Sequence, residues 1–464
     1  MKQAFLALAV VLGLTVAVLA ALAARSDGDE AETVPSNADP ARPEQAARAV
    51  TLQGLLHHLR ELQAIADENG GTREVGSAGF EGSLDYVVRT LRAAGYRPTL
   101  HRFTVRVSRE VQPPTLELLA PRPLQPEGEY VALEYSGSGD VTAPVEAIDT
   151  ESEGSACEPS DFDGFSRGAV ALMRRGTCFF AVKVENAQEA GASAALVFND
   201  GGPGRKGPVS GTLGRPVDIP ALGISHALGT QLAETEGARV HLVAEIDNTA
   251  LETANVIADL PGRDDGGVVL LGAHLDSVAA GPGINDNGSG VAAVLETAVQ
   301  LKRIGARPER GIRFGFWAAE ELGLHGSRAY AESLDDPDSV AAVLNFDMVG
   351  SPNFVRLVYD GDGEIEDAFR AWFAERKLPV EETALEGRSD HAPFAERGIP
   401  VGGIFTGADE PKTAAEAQLF GGEAGAARDP CYHQACDTID NVNERILSQA
   451  ADAAAAVALE LAGV

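Results

Sequence analysis

Between residues 249 and 464, short apolar runs alternate with runs of helical period. The strand-like runs are "GGVVLLGAHLD", "GIRFGFWAAEE", "VAAVLNFDMVG", "FVRLVYDGDG" and "IPVGGIFTG". Between and after them come "VAAVLETAVQLKRIGA", "EIEDAFRAWFAERK" and "NERILSQAADAAAAVALELA", apolar on one helical face. Strands that are apolar along their whole length need cover on both faces, which a parallel sheet between helices supplies. The spacing therefore predicts an α/β domain with a central, mostly parallel mixed sheet flanked by helices.

A chain of 464 residues is too long for one ordinary domain. Residues 51–130 open with two helical stretches, "LQGLLHHLRELQAIADENGG" and "EGSLDYVVRTLRAAGY", then an alternating strand, "RPTLHRFTVRVS". Residues from about 111 to 140 are Pro-rich and read as irregular. Residues 131–248 change texture to short β-like pieces around one helix and read as a separate β-rich module. Residues 1–25 have a positive start, a long apolar run and a small-residue "ALA", the pattern of a secretory signal. The apolar run is also long enough to span a bilayer, so an uncleaved anchor is the alternative, and contact with a membrane is expected only in that case. Residues 26–50 are acidic, carry prolines and read as a disordered spacer.

The net charge of -32 argues against a nucleic-acid partner, because phosphates demand Lys and Arg. Four cysteines behind an export signal suggest two disulfides and a secreted protein. Three pairings are open; proximity favours Cys157 with Cys178 and Cys431 with Cys436.

In an open α/β sheet, ligands gather at the carboxyl ends of the strands. His274 and Asp276 end one strand and Asp286 lies in the loop after it. Glu320 and Glu321 end the next, Asp347 ends a third, and His433 lies in the late loop "RDPCYHQACDT". Carboxylates and imidazoles arriving one per strand end suit zinc, in numbers sufficient for two ions. Adjacent side chains point in different directions. One glutamate of the pair can bind metal while the other serves as general base. Taken singly, Asp276, Asp347 and Asp390 fit turn or cap formers. His325 and His391 match no ligand position and read as wall residues; His57, His58, His101, His226 and His241 read as structural. The Gly-rich loop "GPGINDNGSG" lacks the phosphate-binding signatures. Its formal glycosylation sequon at Asn287 lies too close to the predicted site to be accessible.

At this point the chain resembles the co-catalytic di-zinc aminopeptidases, the secreted bacterial leucine aminopeptidase and vacuolar aminopeptidase Y type. The motifs, in order, are "AHLDS", "INDNGSG", "WAAEELGLHGS", "NFDMVG", "GRSDHAPF" and "DPCYHQACDT". The resemblance implies a zinc-peptidase fold and a bridging Asp286. His274 and Asp347 would complete one ion's ligands, and Glu321 and His433 the other's. Glu320 would be the general base and Tyr432 a donor to the oxyanion. Asp276 would orient His274. Arg388 and Asp390, with Glu320 and Asp347, would receive the substrate's free amine. Cys431–Cys436 would stiffen the turn that presents Tyr432 and His433. The family implies peptide substrates with large apolar N-terminal residues such as Leu. Calcium remains an open second cofactor, and neither it nor the oligomeric state is legible here. The segment 131–248 resembles a protease-associated domain, whose Cys pair matches Cys157 and Cys178.

Four rivals are weighed. "GFSRG" at 164–168 fits a serine nucleophile motif, but a loop precedes Ser166 and a strand follows it, the reverse of what that motif needs. An inactive receptor module would lack a ligand or the base, and none is missing. A glutamate-releasing carboxypeptidase carries a large helical domain after its core, whereas only residues 434–464 follow His433. A glutaminyl cyclase uses one zinc, against the full two-metal set here.

Overall fold

The computed structural model describes residues 42–463 apart from 203, 204, 265 and 386. The expected leader and the spacer up to residue 41 lie outside the described residues. The end of that spacer needs correcting. Residues 43–49 form a helix, α1 (Pro43–Ala49), which starts on a proline and buries Ala46 and Ala47 against the C-terminal helix. Tertiary packing orders a segment whose composition reads as a linker.

Two longer helices follow, as expected. α2 (Leu52–Glu68) is capped by Thr51, whose hydroxyl accepts from the Gly54 amide at 3.1 Å. α3 (Ala78–Ala93) is capped by Ser77, which accepts from Phe80 at 3.1 Å. Each cap is worth about 1 kcal/mol.

β1 (Thr99–Ala120) opens the inserted module, which continues through β2 (Tyr130–Ala132), β3 (Gly139–Ile148), β4 (Val170–Arg174) and α4 (Phe180–Ala190). It closes with β5 (Ala194–Phe198), β6 (Ala221–Ile224), α5 (His226–Glu234) and β7 (Arg239–Leu260). β1 pairs antiparallel with β7 over its whole length, from Thr99 opposite Ile257 to Ala120 opposite Arg239. This ribbon carries the insert. β3 pairs with the first half of β7, and residues 312–316 of the main sheet with its last residues. The stretch expected to be irregular from residue 111 is thus partly strand. Pro113 and Pro114 fall where the register shifts, a bulge that needs no amide donor.

The main domain continues with β8 (Val268–His274), α6 (Gly290–Arg303), β9 (Gly311–Trp317), α7 (His325–Ser333), β10 (Val340–Phe346) and β11 (Leu357–Asp360). α8 (Gly363–Glu375), β12 (Glu381–Ala384), α9 (Ala392–Ala395), β13 (Val401–Phe405), α10 (Ala414–Phe420) and α11 (Glu444–Leu461) complete it. The strand order is β12-β11-β13-β10-β8-β9-β7. β13, β10, β8 and β9 run parallel, while β11 and β7 meet their inner neighbours antiparallel. The sheet is therefore mixed with a parallel centre. Val269, Leu271 and Phe314 face one core layer, with α6 and α11; Leu270, Trp317 and Phe394 face another. α6 starts close under β10: a Cβ on Gly290 would lie 2.1 Å from the Phe346 carbonyl oxygen. Only glycine permits that approach, which sets the Asp286 loop beside the end of β10. Among the described residues no helix is long and apolar enough to cross a membrane.

Candidate metal centre

The parallel strands deliver their ends to one place. His274 is the last residue of β8, and Asp347 follows β10 directly. Asp286 lies in the turn of residues 284–289 that leads into α6. Glu320 and Glu321 lie beyond the end of β9, in a turn rather than in the strand. His433 comes from the long loop between β13 and α11. Eight non-glycine residues have positive φ among the described residues. Four of them border this site: Ala319, Leu324, Met348 and His433 itself. Such backbone is unfavourable for L-residues and persists where surrounding structure over-determines it.

Asp286 lies between the two histidines. Its Oδ1 is 3.2 Å from His274 Nε2, and its Oδ2 is 3.2 Å from His433 Nε2. Asp347 Oδ1 lies 3.3 Å from the same nitrogen of His274, and Glu321 Oε2 lies 3.0 Å from His433 Nε2. Glu320 Oε2 stands further off, 3.9 Å from His274 Nε2. Two donors on one tetrahedral zinc, each at about 2.0–2.1 Å, are about 3.3 Å apart. The nitrogen–oxygen separations match such edges on both sides of Asp286. Glu321 Oε1 is buried and has no hydrogen-bond partner, as suits a ligand atom. The donor set fits zinc.

The electrostatics point the same way. Burial opposes charge on His433, but hydrogen bonds to Asp286 and Glu321 outweigh it and raise its pKa to about 10. His274 is likewise held well above its ordinary value: burial works against it, and Glu320, Asp347 and Asp286 prevail. Burial, reinforced by Asp286, raises Glu321 to about 7. Burial also raises Glu320, and the neighbouring carboxylates of Asp390, Glu321 and Asp347 add to it. Carboxylates packed this closely repel one another and favour a cation among them.

The Asp276 carboxylate makes its hydrogen bonds elsewhere than to His274. Its carboxylate accepts from the backbone amides of Glu320 and Glu321 at 3.2 and 3.3 Å, so it fixes the glutamate pair. Its Oδ1 is 3.9 Å from His274 Nδ1, which lies nearer, at 3.2 Å, to the Asp276 carbonyl oxygen. Ser389, which the sequence did not flag, donates to Asp347 Oδ2 at 2.7 Å and accepts from Asn345 at 2.8 Å. Arg73, Asp429 and Asp437 were also missed; they buttress the loops behind the ligands.

A cleft of about 490 Å³ opens over the cluster. Glu320, Glu321, Asp347, Arg388, Tyr432 and His433 line it, with an apolar wall that includes Leu324, Met348, Tyr359 and Phe405. Tyr432 stacks on His433 with ring centroids 3.9 Å apart. Burial and the nearby Asp286 and Glu321 raise the phenol's pKa, so it stays a proton donor. His391 is a buried wall residue, held neutral by burial with its pKa lowered to about 4. Asp390 lies deeper than the other residues expected to receive the amine. It does not line the cleft but is buried, near His274, Asp347 and Asp276, with burial raising its pKa to about 7. Both disulfides are present as proximity favoured, with Cα–Cα distances of 5.8 Å for Cys157–Cys178 and 5.3 Å for Cys431–Cys436. Asn287 is fully buried and hydrogen-bonded to the Phe346 carbonyl at 2.9 Å, out of reach of glycosylation.

Paired histidines and carboxylates at the carboxyl edge of a parallel sheet, beneath an open cleft, are the make-up of a metallohydrolase. Residues 255–458 match Peptidase family M28 and residues 140–232 match the PA domain. An aminopeptidase of Pseudomonas aeruginosa is 40% identical over 434 residues, covering 88% of this chain and 81% of the relative. Leucine aminopeptidase 2 of Arthroderma otae is 37% identical over 421 residues, covering 85% and 81%. The solved zinc aminopeptidase of Bacillus subtilis matches with a TM-score of 0.63 at 26% identity, over 91% of this chain and 96% of that one. The chain belongs to peptidase family M28, with a PA domain inserted in the peptidase fold. The enzyme class expected from the sequence, a metallo-aminopeptidase, is the class its relatives carry.

Proposed function

We propose that this chain is a zinc aminopeptidase that holds two zinc ions and removes single N-terminal residues, preferentially large apolar ones such as leucine, from peptides outside the cytoplasm. The observation that carries the proposal is Asp286, which turns one oxygen to His274 and the other to His433. Asp286, His274 and Asp347 would hold one ion; Asp286, Glu321 and His433 would hold the other. Bound zinc supplies Lewis acidity, polarising a carbonyl and acidifying water.

The protein's own groups do the rest. Glu320 has no ligand role; it takes the proton of the attacking water and passes it to the leaving amine. Tyr432 donates a hydrogen bond to the developing oxyanion from beside His433. A free α-amine, cationic below its pKa of about 8, is drawn to Glu320 and Asp347 at the base of the cleft, with Arg388 shaping the rim. Leu324, Met348, Tyr359 and Phe405 offer an apolar surface to the side chain beside it. Export is supported by two disulfides, which persist in oxidising compartments.

Leu-anilide and acetyl-Leu-anilide test the proposal. The free substrate should be hydrolysed and the acetylated one left intact, since acetylation removes the charge and adds bulk where the cleft closes. Equal hydrolysis of both, or trimming of an N-blocked peptide from its C-terminus, would refute it.

A further inference from the structure

The turn that carries Asp286 is held by two side chains of opposite charge, drawn from distant parts of the chain. Arg73 lies between α2 and α3 and is fully buried. Its guanidinium donates to the carbonyls of Leu275, Pro282 (2.8 Å) and Gly283 (2.6 Å). Asp437, in the loop after His433, is buried as well. Its Oδ1 accepts from the Asn285 amide at 2.8 Å and its Oδ2 from the Asp286 amide at 2.9 Å. Its backbone carbonyl accepts from Ile284 at 3.1 Å. The cation thus takes the carbonyls at 282 and 283, and the anion takes the amides at 285 and 286. Each amide has its own acceptor oxygen, an arrangement a carboxylate supplies and an amide side chain, with one oxygen, does not.

Asp437 is also tied to the other half of the site. It follows Cys436, whose disulfide to Cys431 brackets Tyr432 and His433. Asn441 Nδ2 donates to Asp429 Oδ1 at 2.9 Å and to Asp437 Oδ1 at 3.3 Å. Asp429 Oδ2 in turn accepts from Asn285 Nδ2 at 2.6 Å. The bridging aspartate and the loop presenting His433 therefore share one hydrogen-bonded support.

Building on the two-zinc reading above, we propose that Asp437, opposed by Arg73, is the positioning residue for the bridging carboxylate: it fixes the Asp286 backbone so that one oxygen faces each cation. It is buried and does not line the cleft. Its effect should therefore appear in metal affinity, where partners behind a ligand typically matter 10–100-fold.

The test compares the full chain with Asp437→Asn, measuring zinc affinity by competition with a chromophoric chelator. The cobalt-substituted absorption spectrum and the melting temperature of the metal-free protein are recorded alongside. Asp437→Asn should bind zinc 10–100-fold more weakly and give an altered cobalt spectrum. Unchanged affinity and spectrum, with only the melting temperature lowered, would overturn the proposal. If Asp437→Asn does not fold, Asn441→Ser decides in its place: it leaves both amide bonds intact and removes one support of Asp437. A severalfold weaker zinc affinity supports the proposal, and unchanged affinity overturns it. A wild-type chain that binds no zinc would instead overturn the two-zinc reading beneath it.

Discussion

Glu320 and Glu321 are neighbours in sequence but stand differently to the histidines. Glu321 reaches His433 at 3.0 Å, while Glu320 stays 3.9 Å from His274. In the proposed mechanism that difference separates a ligand from a base. Glu320→Gln should keep zinc but lower turnover by about 10²–10⁴-fold, the usual worth of a general base. Glu321→Ala should release zinc. Metal analysis beside kinetics checks both; equal loss of metal in the two variants would contradict the division. Tyr432→Phe should lower kcat by about 10²-fold, in the range of a lost oxyanion donor, with KM little changed. Of the proposed ligands, His274, Glu321 and Asp347 were legible because each sits at or just after a strand end, where chemistry collects, whereas Asp286 and His433 lie in loops and were legible through the motifs around them. Arg73, Asp437 and Ser389 were not. Their partners lie far away in the chain, at Gly283, Asp286 and Asp347, and no local period marks such pairs.

At the scale of elements, apolar periodicity located most strands and helices, and its failures have physical causes. Pro113 and Pro114 suggested loop, yet the β1–β7 ribbon accommodates them at a shift of register. α1 forms because Ala46 and Ala47 have a partner surface on α11, which local propensity does not encode. α11 itself carries a testable cost. Burial raises the Asp452 carboxyl to about 6, and Arg376 only partly offsets it. A raised acid pKa means the folded state binds more protons than the unfolded chain. Stability is therefore full below about pH 4 and falls as pH rises through the folded value. Asp452→Asn should raise the melting temperature at pH 8 and leave it nearly unchanged at pH 4. A variant less stable than wild type at pH 8 would show that its charge is needed. Gly290→Ala tests the close approach of α6 to β10; a Cβ 2.1 Å from a carbonyl oxygen should destabilise the fold by several kcal/mol, read by denaturant unfolding.

The whole molecule joins a peptidase domain to an inserted module through one antiparallel ribbon. Both domains have counterparts among known families, and the order of motifs makes that legible in the sequence. In the proposed function two zinc ions, which Asp286 would help to hold together with His274, Glu321, Asp347 and His433, would make the site competent. The most direct measurement titrates the metal-free protein with zinc while following both bound metal and hydrolysis of Leu-anilide. Activity should be absent at the start, appear with the first equivalents and reach its maximum at two zinc ions per chain. Full activity without metal, or saturation of both binding and activity at a single zinc, would contradict it.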